Sequence, residues 1–364
     1  MGGRLVVGLD HGFGASAGGE LDPCPVAPAR DPVDIDVSRS ADVAPPISVR
    51  RAGDGGDGWV SALAADRLHL MRPGGGGCVV DGRPGELPLR VSADAAMPAW
   101  AVMRAVVRPL LQLGLPVRGA GTVHAAAVTR SGAGVLIAGW AESGKTEVAL
   151  ALAERGWSIL ADKWTVLDGE GRMAPFPVRA GVRGWVLEYL PHLRSALPVR
   201  TRWRMRAASR ASRGIERLAG RDGSPLSGAA LDITRRACAQ GERLSVTLSA
   251  LREMYGVVSL EPAHPQLTLV VVLSTAASGP PVARPLGAQT ALPRLYASAA
   301  YERRDGLALL LRRQFAGGED AALQATATER ELLTSALSDV PLIEVSCPFP
   351  SDPGHVARLI EASL

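Results

Sequence analysis

Residues 135–138, Val-Leu-Ile-Ala, form an uninterrupted apolar run, the pattern of a strand buried on both faces, and the run stops at Gly139. From Glu147 to Arg155 the chain alternates Ala, Val and Leu with charges only at the two ends, which predicts a helix. Gly156 follows, where a left-handed stop costs least. A second apolar run over 157–161 predicts a strand that delivers Asp162 to its carboxyl end, on the same edge of a parallel sheet as the end of the first strand. The rest of the chain alternates in the same manner. Strands are predicted at 47–50, 68–71, 267–273 and 342–345, a hairpin at 165–173, and helices at 98–115, 231–237, 249–255, 288–315, 319–337 and 355–363. That succession predicts an α/β fold. Residues 1–46, rich in Gly, Pro, Ala and Asp, have the composition of a flexible N-terminal tail, although 5–9 could pair as a strand. Residues 47–118 read as a small α/β section and 119–364 as the main domain.

Between the first strand and its helix stands Gly139-Trp140-Ala141-Glu142-Ser143-Gly144-Lys145-Thr146, which fits the phosphate-binding pattern G-x-x-x-x-G-K-[ST]. In that pattern the free N–H groups of the loop and first helical turn hold phosphate oxygens at the positive end of the helix dipole. Lys145 would reach the β- and γ-phosphates of a nucleoside triphosphate, the Thr146 hydroxyl would ligate Mg²⁺, and Asp162 stands to hold the same ion. The glycines at 74–77 are followed by no lysine and no helix, so they read as a turn. Asp10 and His11 have no further ligand nearby.

Composition sharpens this. Lys plus Arg number 40, yet only Lys145 and Lys163 are lysines, and both fall in this stretch. A compact ammonium rather than a planar fork is wanted there; the alternative for Lys163 is an exposed strand-end residue. Hydrophobic residues make up 47% of the 364, enough for a sizeable core, but aromatics only 4%, so that core must be largely Ala, Val and Leu. The cysteines at 24, 78, 238 and 347 are widely spaced and read as free thiols of a reducing compartment. No run approaches the roughly 18 apolar residues of a membrane span, and the first residues lack a secretory pattern, so a cytoplasmic location is expected.

The string from His124-Ala-Ala-Ala through the loop, GK-T-E-x-A-L-x-L-x-x-R-G and Leu160-Ala161-Asp162 resembles the HPr kinase/phosphorylase group of the phosphoenolpyruvate-carboxykinase-like P-loop fold, especially its smaller relatives found with peptide natural-product pathways. The resemblance is strongest over 120–180. It implies an ATP- and Mg²⁺-dependent kinase that phosphorylates a hydroxyl, commonly a serine of a peptide or protein, with small molecules as the other acceptor class. It also favours His124 beside the nucleotide or acceptor, against the plainer reading of a core histidine bonded to backbone. The chain departs from the group twice. Glu142 stands where a glycine is usual, and Lys163 replaces the second of two adjacent acids. Asp162 would then serve metal and acceptor alone, with Lys163 neutralising charge, or the chain binds nucleotide in a regulatory or scaffold role without turnover.

Arg179 and Arg183 follow strand-like residues after the motif and are candidates to meet the transferred phosphate or the acceptor; surface ion pairs are the alternative. A larger accumulation of arginine spans 194–221. If helical, it lines up Arg202, Arg206, Arg210, Arg213 and Arg217 on one face with almost no local acids. Such a face calls for an anionic partner, an acidic peptide or protein acceptor, the nucleotide, or nucleic acid, unless it is merely solvated. No aromatic interleaves with it beyond Trp185 and Trp203 and no recognised binding module accompanies it, which speaks against nucleic acid. A homo-oligomer is compatible with the sequence, which sets no oligomeric state.

Overall fold

The computed structural model describes residues 5, 7–9, 20–22, 33–40, 60–64, 67–72, 76–82, 87–219, 238, 241–257, 259–260, 262–311 and 321–364. The strand expected at 47–50, the helix at 231–237, the Asp10–His11 pair, Cys24, Arg221 and the arginines at 312 and 313 lie outside the described residues. The fold is mixed α/β. It divides into two compact units that interleave along the chain, one comprising Met1–His124, Trp164–Pro177 and Leu286–Leu342, the other Ala125–Lys163, Val178–Pro285 and Ile343–Leu364.

In the first unit a six-stranded sheet runs in the order Val7–Leu9, Ile35–Arg39, Leu89–Ala93, Gly77–Asp81, Arg67–Met71, Val60–Ala64. The first three strands are parallel and the rest form an antiparallel meander. Two of these strands come from residues 1–46, whose Gly- and Pro-rich composition reads as a tail. Val7–Leu9 pairs along Ile35–Arg39, and inward-facing Ile35 and Val37 are buried, so a few apolar positions at period two suffice to enter a sheet. The helical spacing at 98–115 forms three consecutive segments, Ala99–Val102, Met103–Val107 and Arg108–Gly114, the middle one wound as a π-helix. Cys78 is fully buried, and burial pushes its thiol up to about 12, leaving an inert core residue.

A second, three-stranded sheet places Thr165–Asp168 between Met173–Pro175 and Ala120–Val123. Beside it lies a buried ionic cluster. Arg303, on the helix Ala288–Leu311, donates to Glu329 Oε2 at 2.5 Å and to the carbonyl of Thr122 at 2.8 Å. Glu329, on Ala321–Leu337, accepts from the backbone N–H of Thr122 at 2.8 Å. Two helices and a strand are thereby tied through one guanidinium, which also lies 5.2 Å over the ring of Trp164.

The second unit holds a six-stranded sheet in the order Ser158–Ala161, Ala125–Arg130, Ala133–Gly139, Gln266–Thr275, Leu342–Cys347, Val282–Pro285. Ala133–Gly139 and Gln266–Thr275 are parallel, but Ala125–Arg130 is antiparallel to both of its neighbours. The all-parallel sheet expected around Asp162 is therefore corrected to a mixed one, with Ala125–Arg130 between the two strands. Two successive antiparallel pairings restore the direction, so Ser158–Ala161 and Ala133–Gly139 still end on the same sheet edge. The helix Lys145–Ala153 has no polar side beyond its first turn, and residues 148–153 are all buried. It closes with Trp157 N–H on the Leu152 carbonyl and Gly156 N–H on that of Ala153, with Gly156 at φ +88°, a Schellman ending. The C-terminal helix Pro353–Glu361 brings Glu361 onto Arg155, Trp157 and Arg130. Among the described residues no helix is long and apolar enough to cross a membrane.

Removing one partner of the buried pair strands the other, so Arg303→Met is expected to lower stability by about 3–5 kcal/mol, with Arg303→Met/Glu329→Gln recovering part of it, in urea unfolding of the full chain. A pH dependence follows for Glu361. Its burial raises the pKa, but hydrogen bonds from Trp157 and Arg155 and the charges of Arg155 and Arg130 together outweigh burial and hold it below the usual carboxylate value. Its stabilising contribution is present above the unfolded pKa and is lost as pH falls through the folded one. Glu361→Gln should accordingly lower the melting temperature at neutral pH and converge with wild type in acid, a difference read by thermal unfolding across pH.

Candidate functional site

The strand Ala133–Gly139 ends at a crowded point. A Cβ on Gly139 would come within 2.5 Å of Ser143 Oγ and 3.0 Å of the Leu273 carbonyl oxygen, so only glycine lets the chain turn there. The loop folds back with Ser143 N–H on the Trp140 carbonyl at 3.3 Å and enters the helix through Gly144 at φ +90°. Glu142 also occupies the left-handed region, at φ +62°. That is the backbone a glycine would adopt freely, and Glu142 holds it while pairing its carboxylate with Arg183 at 2.7 Å. Ser143 Oγ is buried and has no hydrogen-bond partner among the described residues.

Lys145 is buried, and its ammonium donates to the carbonyls of Gly139 at 3.1 Å and Trp140 at 2.7 Å, lying across the loop it follows. Thr146 donates its hydroxyl proton to Asp162 Oδ1 at 2.7 Å, which joins the helix N-terminus to the end of Ser158–Ala161. Asp162 Oδ2 accepts from the N–H of Gly181 at 3.4 Å, and the backbone N–H of Lys163 also bonds the carboxylate. Burial nonetheless dominates and pushes the Asp162 pKa up, against those hydrogen bonds and the charge of Lys145. Lys163 turns the chain immediately after the acid, at φ +62°.

Two charged residues join the site that the sequence pattern does not single out. Glu147, in the first helical turn, is buried, which raises its pKa; a bond from its own backbone N–H and the charges of Arg183 and Arg243 work against this, while the charge of Asp162 adds to it. Arg243 sits on Arg243–Val246, paired antiparallel with Ala180–Arg183, so that Arg183 and Arg243 are register partners. Its guanidinium lies against Gly181, where a Cβ would collide with it. Glu147 was within reach of sequence reasoning, being the residue after Thr146; Arg243, far along the chain, carries no local signal. Phe349 is a third addition, its ring 3.3 Å from where a Gly144 Cβ would stand and edge-on to Trp185 at 5.6 Å.

The structure thus gathers Gly139 to Thr146, Asp162, Lys163 and Arg183 in one unit. Arg179 is placed otherwise, donating to the hydroxyl and carbonyl of Ser245. His124 belongs to the other unit, buried, with Nδ1 sharing a 2.7 Å hydrogen bond with Ser298 Oγ and its ring centroid 5.2 Å from that of Trp164. Among the described residues no group of three or more His, Cys, Asp or Glu side chains is arranged to hold a metal ion. A hard cation at Thr146 and Asp162 would therefore take most of its ligands from water and phosphate, as Mg²⁺ characteristically does.

No known protein family matches this chain, and neither does any curated protein. Among solved structures it is similar to the Hpr(Ser) kinase/phosphatase from Coxiella burnetii, with 13% identity over 66% of this chain and 95% of that chain and a TM-score of 0.27. A superposition that loose carries no argument of its own, and the functional reading rests on the loop, the lysine and the two carboxylates.

Gly144→Ala tests the loop geometry. Its left-handed backbone and the nearby Phe349 ring should cost roughly 1–2 kcal/mol of stability, seen as a lower melting temperature; an unchanged one would show that the loop relaxes without strain.

Proposed function

We propose that this chain is a P-loop phosphotransferase of the HPr-kinase-like, phosphoenolpyruvate-carboxykinase-like kind. It would bind ATP or another nucleoside triphosphate with Mg²⁺ and transfer the terminal phosphoryl group to a hydroxyl, with a peptide or protein serine as the favoured acceptor and a small-molecule hydroxyl as the other. The observation that carries this reading is the Thr146–Asp162 hydrogen bond of 2.7 Å at the mouth of a glycine-turned loop whose lysine lies on the loop's own carbonyls.

The residues fit both groups. Gly139 and Gly144 leave the loop without side chains where phosphate oxygens would approach, and Ser143 Oγ is a buried hydroxyl with hydrogen-bonding capacity to spare. Thr146 and Asp162 would hold the Mg²⁺, which when bound supplies neutralisation of phosphate charge. Lys145 can exchange carbonyl partners for phosphate oxygens without leaving its position, since an ammonium directs three donors. Asp162, raised by burial, is also the better base for an acceptor hydroxyl than an exposed carboxylate would be. Arg183, anchored to Glu142, would face charge arriving at the loop.

A second reading, nucleotide binding without turnover, is favoured by one observation. Lys163 stands where a second acid would be, at a left-handed position directly after Asp162.

Calorimetry of the full chain with ATP, GTP and pyrophosphate, each with Mg²⁺, tests the common part. Binding in the micromolar range that Lys145→Ala abolishes is expected, and no binding of any of the three would sink both readings. Incubation with ATP and candidate hydroxyl acceptors, followed by mass spectrometry, separates the two. Asp162→Asn should lower transfer by about 10²–10⁴-fold if Asp162 acts as base, whereas a wild type that binds ATP but phosphorylates nothing supports the second reading.

A further inference from the structure

The arginine accumulation becomes the helix Val199–Ala219. One side of it is used internally. Met205 and Ser209 are buried, and the helix backbone presses so closely on Gly184 that a Cβ there would stand 2.8 Å from Ser209 Oγ and 3.0 Å from the Met205 carbonyl oxygen. The opposite side is turned outward. With about 3.6 residues per turn, Val199, Trp203 and Ala207 run along its middle, Arg200 and Arg204 flank them on one side, and Arg206 and Arg210 on the other.

Trp203 is 66% exposed and Val199 58%. Arg200, Arg204, Arg206 and Arg210 form no ion pair among the described residues, and residues 199–211 contain no acid. A solvated face would have no use for an uncovered tryptophan between two rows of guanidinium groups, since such a ring loses more by hydration than any other side chain on the helix.

We propose that this face docks an acidic, extended peptide segment that seats an apolar side chain on the Val199–Trp203–Ala207 strip and sets carboxylates against the two arginine rows. Charge complementarity selects the partner, and planar guanidinium groups suit carboxylates in pairs. The run from Val199 to Ala211 is about 20 Å long, a length that about six residues of extended chain span. A membrane surface fits less well. An interfacial helix buries a broad apolar face in lipid, and here that face is already packed on Gly184. Nucleic acid fits less well too, because successive bases need several stacking rings and the strip offers one.

The test is fluorescence anisotropy of a labelled peptide of alternating Glu and Leu, about ten residues long, titrated with the full chain in the absence of nucleotide. Saturable binding that weakens with added salt is expected, lost for the counterpart in which Gln replaces Glu. Arg200→Gln/Arg204→Gln/Arg206→Gln/Arg210→Gln should weaken it roughly tenfold or more, and Trp203→Ala should weaken it with charge unchanged. All five side chains are exposed, and circular dichroism would confirm that the variants keep the fold. Equal affinity in wild type and variants overturns the proposal, as does binding of phosphatidylserine vesicles or single-stranded DNA with none of the acidic peptide. Because nucleotide is absent, failure here leaves the phosphate site standing, and failure of nucleotide binding leaves this surface standing.

Discussion

A helix buried along its whole length still has to place its first turn somewhere, and the N–H groups of that turn have no partners within the helix. This is the constraint on which the second unit depends. Residues 148–153 are enclosed on all sides, and the enclosure reaches forward to Lys145 and Glu147, so the positive end of the helix is held inside the protein rather than in water. Everything at that end responds to it. The loop turns back through Gly139 and Gly144, two carboxylates lie at the first turn, and the ammonium of Lys145 is drawn onto the carbonyls of Gly139 and Trp140. A buried lysine is thereby satisfied by its own loop. An anion at the loop would meet the same donors and the helix end together.

The two departures from the usual pattern acquire a common physical character. Glu142 and Lys163 are both non-glycine residues held at φ +62°, a region L-residues enter only at a cost. Both flank the hydroxyl–carboxylate bond of Thr146 and Asp162, where the surrounding structure holds the backbone in place. Their charges are opposite, and each has a counterpart. Glu142 meets Arg183, while Lys163 follows Asp162. Beside Asp162 stands a second buried carboxylate, Glu147 in the first turn of the helix, and the charges of Arg183 and Arg243 act on it against the effect of burial. The site therefore keeps two acids while drawing them from two different elements.

How much of this the sequence displays depends on how local the cause is. The apolar run ending at Gly139, the helix and its Gly156 stop are set by contiguous residues, and they were legible. So was the arrival of Asp162 beside Thr146, because strand direction survives two antiparallel reversals. What periodicity cannot show is which strand lies between, and Ala125–Arg130 was not placed there by any property of its own. Long-range partners are equally silent. Ser298, which bonds His124, and Arg243, which shares the field of Glu147, are joined to them only through tertiary packing. Val7–Leu9 lies within 5–9, where the apolar residues allow a strand, but Ile35–Arg39 was obscured, since so few apolar positions amid Asp and Pro fall below what composition can register.

The near-exclusion of lysine from the chain now has a structural meaning for one of its two examples. Lys145 must reach two carbonyls from adjacent residues within a closed loop while staying buried, and a tetrahedral ammonium at the end of a flexible stem does this with donors that fan out from a point. A guanidinium would bring five N–H groups in one plane into the same space. It could bond two neighbouring carbonyls only by leaving several donors dehydrated and unpaired, at a cost of the order of 1–3 kcal/mol for each buried group left unsatisfied. The buried Arg303 shows what that fork requires instead, four acceptor contacts spread over a carboxylate, a carbonyl and a hydroxyl, and even there Nε finds no partner. The acceptors at this loop are the two adjacent carbonyls of Gly139 and Trp140, and there a chain that uses arginine almost everywhere places a lysine.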